Sequence, residues 1–231
     1  MPDPTRTDVP VRDAATVILL RNDREEPAVL MGQRGKQAVF MPGKFVFPGG
    51  GLDAQDAEVT LHGVPSAICM ARLTADTDIR KARGLLAAAI REVWEETGQP
   101  LARKDAASPA AADAQPQGWR DFFGAGYAPD ASGLTFVFRA ITPPGRPRRF
   151  DARFFLGNAA LIDGDPDDFS RAQDELGHLQ WVPLSKTREL DLPFITEVVL
   201  AEVQNRIKHP DTNHPVPFFS HDGDRSRFRE L

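Results

Sequence analysis

Residues 91–98 read Arg-Glu-Val-Trp-Glu-Glu-Thr-Gly. On a helix, Glu92 and Glu96 stand four apart and Glu95 stands three from Glu92. The three carboxylates therefore crowd neighbouring parts of one face. Like charges held so close repel, and a cation built into the arrangement removes the repulsion. Hard divalent cations such as Mg²⁺ or Mn²⁺ take carboxylate oxygens. The competing reading is a solvated acidic face, since acidic runs are common on helix surfaces.

Chain elements must hold these groups. Leu86, Ile90, Val93 and Thr97 recur at helical spacing, widened by Leu85 and Ala89, so a helix over 84–97 has a buried stripe beside its carboxylates. Arg91 precedes Glu95 by four residues and can pair with it. Gly98 suits a helix stop, and Pro100 prevents continuation. Upstream, Phe47-Pro48-Gly49-Gly50-Gly51 follows a short strand candidate at 44–47. A glycine run after a strand lets backbone approach a ligand or metal closely, although alone it is usually a turn.

Together these residues resemble the Nudix hydrolase family. Its signature is a glycine, five residues, a glutamate, seven residues, then Arg-Glu, an apolar residue, any residue, Glu-Glu, any residue, Gly and an apolar residue. Arg91, Glu92, Val93, Glu95, Glu96 and Gly98 match the closing half. Gly50 leads after five residues to Asp56, where the family has Glu. Residues 57–90 stand where the family has seven, and Gln99 takes the last apolar position, with Leu101 two residues later.

The resemblance implies a mixed sheet sandwiched between helices, with an insertion at about 57–82 between the Gly-rich loop and the catalytic helix. It implies hydrolysis of a diphosphate linkage in a nucleoside diphosphate derivative, with Mg²⁺ or Mn²⁺ as cofactor. Glu92, Glu95, Glu96 and the Gly50 carbonyl would be the metal ligands. Arg91 would hold a glutamate in place, and Gly49 and Gly50 would lie against substrate. The general base comes from the signature itself or from a later loop, where Asp174 and Glu175 are the candidates.

Long insertions at this point occur in the branch that includes animal coenzyme A diphosphatases. Arg149–Phe155 and Leu192–Thr196 are similar to that branch as well. Gly43 and Phe47 fit its coenzyme A motif, but Val39 stands where that motif has Arg. Coenzyme A or an acyl derivative is thus one implied substrate; ADP-ribose and dinucleotides are the alternatives. A nucleotide-binding regulator without catalysis is a different class. The presence of all three glutamates favours the enzyme.

The 231 residues suit one domain with insertions. We expect a flexible arm at 1–12, the hydrolase domain at 13–208 and an irregular tail at 209–231. A net charge of −5 argues against general nucleic-acid binding and leaves a small molecule as the partner. The one cysteine, Cys69, forms no internal disulfide and reads as inert. No signal-peptide core or long apolar span is visible, so the expectation is a cytoplasmic chain with no membrane contact; a homodimer stays open.

Strand candidates lie at 14–20, 28–32, 134–141, 149–155 and 179–182, with helical patterns at 64–73 and 192–208, which gives an α+β class. The insertion is expected at the surface, near the mouth of the site. Residues 102–117 read as an exposed loop and 119–123 as a helical turn. Along 149–155, Arg149, Asp151 and Arg153 share one face. Arginine forks suit phosphate, so Arg149, Arg153 and Arg34 are substrate candidates. The competing reading is a solvated strand face with internal ion pairs. The histidines show no ligand spacing, and Trp94 reads as packing.

Overall fold

The first strand, β1 (Val11–Arg21), is buried from Ala14 onward except at Thr16. Such a near-continuous apolar run fits a central strand covered on both faces. The computed structural model describes residues 9–22, 24–104, 112–210, 213–222 and 225–231. β2 (Ala28–Arg34), β3 (Phe45–Val46) and β4 (Gly49–Gly51) follow. Then come α1 (Ala67–Leu73), α2 (Ile79–Thr97), β5 (Ala102–Lys104), α3 (Arg120–Gly124) and β6 (Tyr127–Pro129). The remainder is β7 (Thr135–Ile141), β8 (Arg149–Asn158), β9 (Leu176–Pro183), α4 (Phe194–Lys208), β10 (Pro217–Asp222) and β11 (Arg225–Glu230).

The main sheet runs β11-β10-β7-β8-β1-β2-β3, with β4 also paired to β1 and β9 to β2. It is mixed: β1 and β8 are parallel, as are β7 and β10, while β1 and β2 are antiparallel. Alternation along β1 divides the core. Val17 and Leu19 meet α2 and its Leu85, Leu86, Ile90 and Val93. Ile18 and Leu20 meet the opposite layer, where Val199, Leu200 and Val203 of α4 pack. The result is the α+β arrangement expected, a mixed sheet between helices. No helix among the described residues is long and apolar enough to cross a membrane.

The helix expected over 84–97 begins earlier, at Ile79, because the Asp78 carboxylate accepts the Lys81 amide at 2.8 Å and caps it. It ends where expected, at Gly98, whose φ of 73° is left-handed. Ile90 is wholly buried in this helix. Ile90→Ala is expected to lower unfolding free energy by about 2–5 kcal/mol, measured by denaturant titration.

Two expectations need correction, and a third needs refining. The tail from His209 is not irregular throughout: β10 and β11 form an antiparallel hairpin that extends the sheet, with Phe218 buried. Pro215 and Pro217 read as breakers, and every residue of β11 is exposed, so no apolar alternation marked the strand. The insertion lies at the surface as expected, but it is anchored in the core rather than standing clear of it. Val59, Cys69 and Leu73 join the α2 core, and the Phe136 amide donates to Cys69 Sγ at 3.2 Å. Burial pushes that thiol's pKa up, consistent with an inert residue. Val11 and Arg12, assigned to the arm, belong to β1. Residues 1–8 of the arm and 105–111 of the expected loop lie outside the described residues.

Candidate active site

α2 presents its acidic residues to β4 because the opposite stripe of the helix is committed to the core. The register of that meeting is set by two glycines. A Cβ on Gly50 would lie 2.6 Å from Glu92 Oε1 and 2.5 Å from its Cδ, so any larger residue would push that carboxylate from its place against the strand. A Cβ on Gly49 would lie 2.5 Å from the Ala15 carbonyl oxygen. The Gly49 amide donates to Glu96 Oε2 at 2.7 Å.

Arg91 organises the other side. It is buried, and each of its guanidinium donors has an acceptor. Nε and Nη2 form a fork with Asp56, at 2.9 Å to Oδ1 and 3.1 Å to Oδ2. Nη1 donates to Glu92 Oε1 at 2.8 Å and to Glu95 Oε2 at 3.0 Å. Nη2 also donates to the Gly51 carbonyl at 3.0 Å. Asp56 is itself 1% exposed and takes further bonds from the Asp53 amide at 2.9 Å and from Trp119 Nε1 at 3.0 Å.

A second guanidinium closes the far edge. Arg34, at the end of β2, donates from Nη2 to Glu175 Oε1 at 3.2 Å, while its Nε is buried with no hydrogen-bond partner. Glu175 sits just before β9, and its segment is tied to α2 through the Gln173 amide and the Glu95 carbonyl at 2.9 Å.

Electrostatics follow from this packing. Burial pushes the Glu92 pKa up to about 7; Arg91 opposes the rise, and Glu95 and Glu175 add to it. Glu96 is raised well above the usual carboxylate range, first by burial and then by Glu92, with Glu175 adding and the Gly49 amide and Arg34 opposing. Glu95 is raised by burial, against Arg91, with Asp56 and Asp53 contributing. The neighbours thus differ: Glu95 lies with Asp53 and Asp56, whereas Glu96 lies with Arg34 and Glu175.

Among the sequence candidates, Arg34, Gly49, Gly50, Arg91, Glu92, Glu95 and Glu96 come together. Arg149 and Arg153 do not join them. Arg153 is buried in an ion ladder with Asp13, at 2.5 Å, and Asp151, at 3.2 Å. Arg149 donates to the Thr142 and Val9 carbonyls. The internal ion-pair reading of this strand face therefore describes Arg153. Trp94 packs against Phe122 and Tyr127, as packing. The three glutamates do not form a ready cage. Among the described residues no three His, Cys, Asp or Glu side chains stand close enough to hold an ion as they lie. Arg91 draws Glu92 and Glu95 to itself, and the Gly49 amide draws Glu96.

The signature places Asp56 without a role, and Trp119 escaped the sequence reading. Asp56 carried a hint in its spacing from Gly50, but nothing pointed to its burial. Trp119 arrives from beyond the Ala- and Pro-rich stretch, and no local pattern marks it.

A crystal structure of a Nudix hydrolase from Alicyclobacillus acidocaldarius is similar to this chain at 31% identity, over 84% of this chain and 90% of that one, with a TM-score of 0.64. The chain belongs to the Nudix hydrolase family. Weaker likenesses include the Nudix domain of Shewanella oneidensis NrtR complexed with ADP ribose, at 12% identity over 89% of this chain and 93% of that one, TM-score 0.49. Another is the M. smegmatis Nudix hydrolase RenU, at 14% over 88% and 90%, TM-score 0.47. No family model matches the chain, and no curated protein matches it.

In this Nudix hydrolase the raised Glu92 makes stability depend on pH with a definite sign. Between the ordinary value of 4.5 and about 7, the folded chain holds a proton that the unfolded chain releases. Folding is therefore favoured most below that window and loses stability as pH rises through it. In chelator, the melting temperature of the wild type is expected to fall from pH 5 to pH 7 more steeply than that of Glu92→Gln. Parallel profiles would show that Glu92 is not the source.

Proposed function

We propose that this chain hydrolyses a diphosphate linkage in a nucleoside diphosphate derivative, using a divalent cation, Mg²⁺ or Mn²⁺, held by Glu92, Glu95, Glu96 and the Gly50 carbonyl. The observation that carries the proposal is an imbalance of charge. Among the described residues, Asp56, Glu92, Glu95, Glu96 and Glu175 meet two guanidinium groups, Arg34 and Arg91. Carboxylates pushed up by burial and by one another gain most from a hard cation, and their donor chemistry fits one. The glutamates would rotate from their bonds to Arg91 and Gly49 to take it.

When bound, such a cation neutralises the diphosphate and acidifies a water molecule. The rest falls to the chain. Arg34, partly exposed at the edge of the site, offers its guanidinium to a phosphate oxygen, a group its fork suits. Glu175, half exposed beside Arg34 and felt by both Glu92 and Glu96, is the group we assign as general base; Asp174 has no such link. It takes a proton from the attacking water as the water oxygen bonds to one phosphorus and that phosphorus loses its bond to the bridging oxygen, which leaves on the other phosphate. Arg91 holds the glutamates and does not touch substrate.

Coenzyme A or an acyl derivative is our first choice of substrate, resting on the resemblance at Gly43 and Phe47. It is tested by comparing coenzyme A with dephospho-coenzyme A and ADP-ribose in Mg²⁺. Phosphopantetheine and adenosine 3′,5′-bisphosphate are the expected products. A KM that does not change when the 3′-phosphate is removed would mark a generalist. No cleavage of coenzyme A at all would sink this substrate and leave the diphosphatase class.

A further inference from the structure

Trp119 places its one hydrogen-bond donor on Asp56 rather than on a glutamate, yet it is built into the frame that holds them. Its indole is fully buried against Phe122 and Phe123, with ring centroids at 5.5 and 6.0 Å. Its Nε1–H is aimed at Asp56 Oδ1 at 3.0 Å. A carboxylate has room for about four donors. Asp56 has four: two from Arg91, one from the Asp53 amide and one from Trp119. Arg91 in turn spends its remaining donors on Glu92, Glu95 and the Gly51 carbonyl. The neighbouring Gly118 lies directly over this arginine. A Cβ there would sit 3.5 Å from Arg91 Cδ, and its amide donates to Gln55 Oε1 at 3.4 Å.

We propose that Trp119 is a positioning residue for the site. Its N–H fixes the plane of the Asp56 carboxylate, that plane fixes the Arg91 fork, and the fork fixes Glu92 and Glu95. This inference rests on the proposed function and extends it. A partner that bonds directly to a metal ligand is commonly worth 10–100-fold in metal affinity or activity, and Trp119, acting through Asp56 and Arg91, belongs at the low end of that range. Asp56 without the indole keeps its bonds to Arg91 but loses the one side-chain strut that does not move with Arg91. Because Trp119 is fully buried, it meets no substrate, so KM should not follow kcat.

The test compares the wild type with Trp119→Phe and Trp119→His. Phe keeps the ring contacts and removes the donor; His packs worse but keeps a ring N–H at similar reach. Mn²⁺ binding is read by calorimetry and turnover by steady-state kinetics, with melting temperature alongside. The expected result for Trp119→Phe is about tenfold weaker Mn²⁺ binding and about tenfold lower kcat, with KM within twofold. Trp119→His should retain more of both than Trp119→Phe, although it melts lower. Should Trp119→Phe melt lower yet leave Mn²⁺ affinity and kcat within twofold, or should activity follow melting temperature in the order Phe above His, Trp119 is packing alone and the assignment is overturned. A folded wild type that neither binds Mn²⁺ nor cleaves any diphosphate overturns the proposed function and takes this assignment with it. An active wild type with an unaffected Trp119→Phe overturns only the assignment.

Discussion

Glu96→Gln should lower kcat by about 10²–10³-fold while the chain stays folded, the scale expected when one preorganised electrostatic group is removed. The substitution keeps size and shape. An amide oxygen can still accept the Gly49 N–H, so the 2.7 Å bond that sets the α2–β4 register survives. What disappears is the charge that a cation would use. That same charge is costly in the metal-free chain, where burial, Glu92 and Glu175 all act against it. The variant should therefore melt higher than the wild type in chelator at neutral pH, and gain less from added Mn²⁺. Circular dichroism melts with and without the metal, beside steady-state rates, check both halves. Turnover within twofold of the wild type would show that Glu96 is not part of the site.

Arg91→Met should have the largest effect on stability. Met fills much of the arginine volume but leaves Asp56 with an uncompensated charge at 1% exposure. Breaking a buried pair on one side typically costs about 3–5 kcal/mol. For a chain of this size that is a fall in melting temperature of roughly 6–20 °C. Glu92 and Glu95 lose their common donor at the same stroke, so activity falls too. Asp56→Asn combined with Arg91→Met should cost much less than the sum of the two changes, because the second removes the charge orphaned by the first. A strictly additive pair would mean that the fork between Arg91 and Asp56 contributes little.

Much of this was legible from residue order, where local rules and global packing agree. Leu86, Ile90 and Val93 announced the buried face of α2, Gly98 its end, and the apolar runs at 14–20 and 28–32 the strands β1 and β2. Arg91 and the three glutamates could be placed on one helix from spacing alone. Their actual partners could not. Whether Glu95 turns to Asp53 and Asp56 or to Glu96 depends on what stands opposite, and that is set by β4 and the turn at Ala54–Glu58, remote in sequence. Arg149 and Arg153 looked equivalent along β8; Asp13, brought alongside by the parallel pairing of β1, made Arg153 structural. β11 carried no signal because every residue of this edge strand is exposed, and Trp119 carried none because its N–H bond to Asp56 spans 63 positions of sequence.

The most direct test is one mass-spectrometric panel. Wild type and Glu96→Gln are incubated in Mg²⁺ with coenzyme A, ADP-ribose and diadenosine polyphosphates, and the products are identified. The expected result is cleavage of at least one compound by the wild type into two phosphate-ended products, lost in Glu96→Gln and lost on adding chelator. A folded wild type that binds these nucleotides but cleaves none would make the chain a binding module, and cleavage that survives both Glu96→Gln and chelator would contradict the carboxylate site.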